Sequence, residues 1–170
     1  MKIGVPQGRS DNILDPTMNN DTNSTSVSCI LSGNFEYKLD SQHRVAVPSE
    51  WRSQSPTGCF VLIPGRDRTL QIFTEAVFND RIGSKLNSLS PSNKEDLMKM
   101  RQLGARTFRQ QCDKQGRIQI PQILLDYAQL KDSVAFIASG NFGQIMDGAR
   151  WKAEFEAFND TGDSFLDVLD

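Results

Sequence analysis

Apolar and polar positions alternate with a period of two through Phe35-Glu36-Tyr37-Lys38-Leu39, and the alternation resumes in Val45-Ala46-Val47 after a polar interruption. Such alternation marks half-buried strands, so the segment reads as a hairpin or a strand–loop–strand turning over Asp40–Arg44. Pro48 ends it, and Ser49-Glu50-Trp51-Arg52 suits one short helical turn. Phe60-Val61-Leu62-Ile63-Pro64 is an unbroken apolar run of strand length, and Gly65-Arg66-Asp67-Arg68 turns it into a second strand, Thr69 to Phe73. The period then changes. Phe78, Ile82, Leu86 and Leu89 fall at spacings of four, four and three, which predicts a helix over 75–89 with Thr74 as N-cap. Ser90-Pro91 breaks the chain, and Ser92-Asn93-Lys94-Glu95 forms a capping box. Leu97, Met100 and Leu103 mark the stripe of another helix, which Gly104 can close.

The pattern then recurs. Phe35 to Pro48 is answered by Phe108 to Pro121 at a constant offset of 73 residues, with Phe, Asp, Gln, Arg and Pro identical. The offset persists downstream, where Gln71-Ile72 matches Gln144-Ile145, Phe78 matches Trp151 and Ile82 matches Phe155. Two copies of one supersecondary unit sharing a core are implied. In the second copy, Arg109 to Cys112, a turn and Ile118-Gln119-Ile120 make the hairpin. Pro121 starts a short helix carrying Ile123, Leu124 and Tyr127, and Ser133–Ala138 and Gly143–Met146 are strands. Asp147 caps a last helix with Trp151, Phe155 and Phe158 along one side. All these apolar stripes are read as core. Residues 1–30 crowd Asn and Ser without hydrophobic periodicity and are read as a disordered tail. The expected organisation is repeat one over 31–92, repeat two with its preceding helix over 93–160, and an acidic flexible tail over 161–170.

Composition narrows the class. In 170 residues, 38% hydrophobic and 24% charged, no apolar run approaches a membrane span, and Met1 to Ser10 has no signal-peptide core. Cys29, Cys59 and Cys112 are odd in number and lack C-x-x-C spacing. With a single histidine they give no zinc pattern, so no metal and no cofactor are expected. A net charge of −2 argues against a generic nucleic-acid binder, but the distribution is uneven. Lys99, Arg101, Arg106, Arg109, Lys114 and Arg117 stand against one acid, Asp113, whereas from Arg150 onward two basic residues face six acids. Local field matters more than net charge for docking a polyanion.

The shared token is a charged loop, D-x-x-x-R. An Asp opening a tight turn can cap nearby backbone N–H groups. The fourth position needs a left-handed backbone, which explains Gly116, and histidine is among the non-glycine residues that tolerate it, as at His43. The Arg begins the next strand. It can pair with its own Asp as a staple or point outward to a phosphate, and the sequence leaves both open.

Paired D-x-x-x-R loops, Gly33 leading into the first copy, Arg-x-x-x-Pro after each Asp, and Trp51-Arg52 resemble the MraZ family of bacterial transcriptional regulators over about residues 31–158. The resemblance implies an α+β fold of two tandem SpoVT/AbrB-like swapped-hairpin β units, forming one small barrel-like core flanked by helices. It further implies a ring-shaped homo-oligomer that binds double-stranded DNA at repeated sites upstream of cell-division and cell-wall genes, in the cytoplasm and at the nucleoid. The family's functional positions carry over to Asp40 and Arg44, and to Asp113 and Arg117. Lys114, Gly116, Lys38, Arg109 and His43 are the further candidates for DNA contact. Three departures stand out: His43 in place of the usual glycine, Ser41-Gln42-His43 where the family often has Lys before Gly, and a tail longer than the family pattern, which is either an added arm or a misplaced start.

An enzyme is not expected. There is no G-x-S-x-G, no G-K-[ST] phosphate loop and no dense carboxylate cluster, and no small-molecule substrate is implied. The alternative is a structural or protein-interaction ring module without DNA binding, since the first loop is less basic and the chain is acidic.

Overall fold

The computed structural model describes residues 30–160 and Gly162. The expected tail over 1–30 therefore lies, apart from Ile30, outside the described residues, and so does the tail over 161–170 apart from Gly162. In the first copy, β1 (Asn34–Lys38) and β2 (Arg44–Ala46) flank the first D-x-x-x-R loop, and α1 (Ser49–Ser53) follows Pro48. β3 (Cys59–Pro64) and β4 (Leu70–Thr74) come next. The second copy repeats this as β5 (Phe108–Gln111), β6 (Arg117–Gln119), α5 (Gln122–Ala128), β7 (Ser133–Ser139) and β8 (Phe142–Asp147). The fold is α+β with antiparallel pairing.

Neither D-x-x-x-R loop closes a hairpin. β1 pairs with β7, β5 pairs with β3, and β2 pairs with β6. Strands of both copies thus interleave in one six-stranded sheet, ordered β1-β7-β8-β4-β3-β5, with β2 and β6 as a separate pair. Of the two sequence readings of the first copy, strand–loop–strand is the one observed, and the hairpin expected in the second copy does not form, since β5 pairs with β3 and β6 with β2. The reason lies in the loop, whose Arg starts a strand directed away from β1. Val45 sits opposite Ile118 and Gln71 opposite Gln144, and each of these pairs is separated by the repeat offset. A pseudo-twofold axis therefore passes through both contacts. β3 and β7 correspond at an offset of 74 rather than 73, which matches buried Leu62 with buried Phe136.

The core fills the space between the two sheets. Val45, Val47, Ile118 and Ile120 pack against Phe60, Leu62, Leu70, Ile72, Phe136 and Ile145, with Trp51 and Leu124 closing the ends. Trp51 meets Phe136 edge-on at 5.6 Å between ring centroids, and its indole N–H donates to the Ser32 carbonyl at 3.4 Å. Gly143 lies directly under this ring, so a Cβ there would overlap the indole. At the equivalent positions of the other copy stand Leu124 and Leu70, both in the same core.

Helices cover the opposite sheet face. α2 (Glu75–Phe78) passes through a π-helical turn (Asn79–Gly83) into α3 (Ser84–Asn87). Thr74 caps α2 by accepting from the Val77 N–H. Phe78 packs on Val61 and Phe73, but the chain leaves helical geometry after Asn87, short of the expected Leu89. α4 (Lys94–Ala105) is capped by Asn93, which accepts from the Glu95 and Asp96 N–H groups; the predicted Ser92–Glu95 box is not what forms. Gly104 lies inside α4 rather than after it, and α4 buries no residue. α6 (Gly148–Asp160) follows β8, with Asp147 accepting from the Arg150 N–H.

Several stripes read as core are surface. Ile123 is 62% exposed because α5 turns Leu124, Leu125 and Ala128 inward instead, and Phe155 and Phe158 are exposed on α6. Helical spacing identifies a shared face but not which face the tertiary fold covers.

Replacing Gly143 with Ala should destabilise the chain by about 1–3 kcal/mol through overpacking against Trp51. A urea melt with unchanged slope and a lowered midpoint is the expected result.

Candidate functional site

The two loops are built alike. Asp40 Oδ1 accepts from the Gln42 and Arg44 backbone N–H groups at 2.9 and 2.8 Å, and Asp113 Oδ1 accepts from Gln115 and Arg117 at 2.9 and 2.9 Å. The His43 N–H closes the first turn onto the Asp40 carbonyl, and the Gly116 N–H closes the second onto Asp113. His43 has φ +58° and Gly116 φ +74°, the left-handed conformation that the fourth position requires.

Each arginine turns back to its aspartate, Arg44 Nε to Asp40 Oδ2 at 2.8 Å and Arg117 Nε to Asp113 Oδ2 at 2.9 Å. The β2–β6 pair brings the loops side by side, so the pairs also cross. Arg117 donates to Asp40 Oδ2 at 3.4 Å, and Arg44 lies 4.0 Å from Asp113 Oδ2. Two carboxylates and two guanidiniums thus form one closed, charge-balanced cluster that remains about one-third open to solvent. The backbone N–H of Arg44 holds the Asp40 carboxyl below the ordinary carboxylate range against some desolvation, with the Arg44 side chain adding to it. Asp113 is lowered in the same way by Arg117.

The other candidates divide. Lys114 is exposed in the second loop, and His43 is exposed in the first. Lys38 ends β1, exposed, two residues before Asp40. Gly116 is buried within its loop. Arg109 is not brought to the loops: it pairs with Glu75, donates to Asn79 at 3.4 Å and lies over the Phe78 ring on the opposite sheet face.

Arg52 is a loop-packing residue that sequence reasoning missed. It donates from Nε to the Val47 carbonyl at 3.1 Å, and its guanidinium occupies the space where a Cβ on Gly116 would go. Its counterpart at the repeat offset is Leu125, which lines a cleft of about 440 Å³ with His43, Asp40 and Lys131. Glycine therefore goes with arginine in one copy and histidine with leucine in the other. That coupled exchange is visible in the sequence once the offset is carried past Pro48.

Among the described residues there is no group of three metal-ligating side chains, and no helix is long and apolar enough to cross a membrane. Burial pushes the Cys59 and Cys112 thiols upward, which disfavours thiolate chemistry there.

Residues 30–102 match the family model described as "MraZ protein, putative antitoxin-like". A protein named transcriptional regulator MraZ from Bifidobacterium longum is 31% identical over 141 residues, covering 81% of this chain and 93% of the relative. Its namesake from Corynebacterium jeikeium is 33% identical over 138 residues, covering 79% and 95%. The one from Mesoplasma florum is 32% identical over 118 residues, covering 69% and 80%.

Two outcomes test this geometry. Gly116→His should cost about 1–3 kcal/mol through backbone strain and collision with Arg52, and adding Arg52→Leu should restore part of it, a coupling measurable in a double-mutant denaturation cycle. The pH dependence follows from the lowered carboxyls. Their contribution is complete above the unfolded carboxylate range and is lost as pH falls through the folded values. Melting temperature should therefore decline from about pH 5 downward, and less steeply in the Asp40→Asn/Asp113→Asn double variant.

Proposed function

The chain belongs to the MraZ family, and from that premise we propose that it is a sequence-specific DNA-binding transcriptional regulator acting through its paired D-x-x-x-R loops. The observation that carries this reading is the joining of two equivalent loops into one surface unit across the pseudo-twofold axis. The interleaving of β1 with β7 and β5 with β3 supports assignment of the two copies as SpoVT/AbrB-like swapped-hairpin units.

Within this proposal the aspartates do not touch DNA. They hold the arginines and the backbone of each turn, so that the loops meet the duplex already ordered. Each guanidinium turns its Nε edge to the protein and presents what remains to phosphate or a base edge. Lys114, Lys38 and Arg52 add the positive field around the neutral cluster. One such unit binds weakly. Presentation of many units on a ring homo-oligomer, matched to repeated sites upstream of cell-division and cell-wall genes, converts weak contacts into avidity. The site of action is the cytoplasm and nucleoid.

The rival reading is a structural or protein-interaction ring, favoured by the complete Asp–Arg pairing of the loops. Operator affinity and thermal melting, measured on the same variants across a salt series, separate the two. Arg117→Ala should weaken binding to the upstream DNA by about 1–3 kcal/mol per engaged loop. Lys114→Ala should weaken binding to all sequences alike and reduce the salt slope by about 1. Lowered melting in Arg117→Ala with affinity and salt slope unchanged would assign the loops to structure alone.

A further inference from the structure

An apolar groove of about 620 Å³ opens between α3 and α4, lined by Phe78, Leu86, Met100, Leu103, Thr107 and Arg109. It lies far from the loops in role and chemistry. The α4 helix that forms one wall carries no acid after Asp96; Lys99, which pairs with Asp96 at 3.4 Å, and Arg101 lie along it, and Arg106 follows its last residue. Lys85 stands on α3, the other wall. An apolar floor with a basic rim fits an acidic amphipathic helix.

The chain supplies such a segment. Asp163, Asp167 and Asp170 recur at spacings of four and three. At about 100° per residue they fall on one side of a helix, and Phe165, Val168 and Leu169 fall on the other. We propose that this C-terminal segment, Asp163–Asp170, docks in the α3–α4 groove of its own chain, with its apolar side against Met100 and Leu103 and its aspartates toward the basic rim.

Placement supports the route. Trp151 of α6 lies over Gln71, Ile137 and Met146, and Phe78 of α2 lies over Val61 and Phe73, so both helices cover the same sheet face. Gly162, at φ +66°, follows the end of α6 in the conformation that stops helices. β8, from which α6 departs, and β5, which follows α4, are three strand spacings apart in the sheet order, about 14 Å. The six acids that face two basic residues from Arg150 onward then have a counterpart in the basic run from Lys99 to Arg106.

The test uses the full chain and a fluorescein-labelled peptide of residues 162–170. A Phe165→Ser/Leu169→Ser variant, whose own segment is disabled, should bind the peptide saturably, and the unaltered chain should bind it about tenfold more weakly because the groove is occupied. Adding Leu103→Glu to the variant should abolish binding, and raised salt should weaken it. A peptide carrying the two serines should not bind, which tests the same contact without altering the protein. Absence of binding to the variant overturns the proposal, as does equal binding to variant and unaltered chain, or indifference to Leu103→Glu in a variant that retains its melting temperature.

Discussion

Two aspartates and two arginines from distant parts of the chain share one small volume because β2 and β6 pair about Val45 and Ile118. The rest of the structure depends on that contact. If β2 and β6 met in another register, the loops would separate, the crossed pair at 3.4 Å would be lost, and Val47 and Ile120 would shift out of the core. A one-residue slip reverses every side chain of a strand, so the buried Val45 and Ile118 forbid it. Packing thus sets the register, and the register brings the charges together. The Coulombic attraction of partly exposed pairs is small by comparison. The charged cluster is better regarded as a consequence that orders the loops than as the cause of the fold.

The same axis explains how two copies of one unit differ without damage. Trp51 stands over Gly143 where the other copy has Leu124 and Leu70. Arg52 stands over Gly116 where the other copy has Leu125 and His43. In each case a large residue in one copy goes with a glycine from the other half of the sequence. An interior packed at crystal density leaves no slack for a one-sided change, so the members of such pairs must change together. His43 is therefore a permitted substitution in its own setting: Leu125 leaves the space that Arg52 takes in the second loop, and the remaining cost is a left-handed backbone that histidine tolerates.

Much of this was legible in the chain. The period-two alternation located the strands, and the 73-residue offset located the loops, their aspartate caps and the left-handed fourth position. What stayed hidden was non-local. Alternation says that Tyr37 and Val45 belong to strands, but nothing in it says that β1 pairs with β7 rather than with β2. Helical spacing grouped Ile123 with Tyr127, yet α5 is short and turns Leu124 and Leu125 inward, an orientation set by where the sheet lies. Arg109 counted as part of a basic cluster by sequence proximity, and strand alternation sends it to the far face, onto Glu75. In the sequence Arg52 stands out only as part of a motif, because its meaning depends on Gly116, 64 positions away.

If the loops bind DNA as proposed, their closed charge balance bears on how they would distinguish it from other polyanions. A surface with unpaired arginines attracts any phosphate at long range and binds without discrimination. Here each loop carries its own counter-charge, within 3 Å of the guanidinium, so the field that reaches solvent is largely cancelled. Under the proposed function, attraction would then arise at short range, where a phosphate or base would compete for N–H groups that the aspartates leave partly unsatisfied. Such contacts reward correct geometry and give little for mere proximity. The cost would be weak binding by any single unit, and on the proposed ring that cost would make multiplicity useful: a spaced array of neutral, ordered loops would gain affinity only on DNA whose repeats match the array. Selectivity would then reside in spacing as much as in base contacts, and the acidic charge of the whole chain would suppress non-specific binding rather than oppose the function.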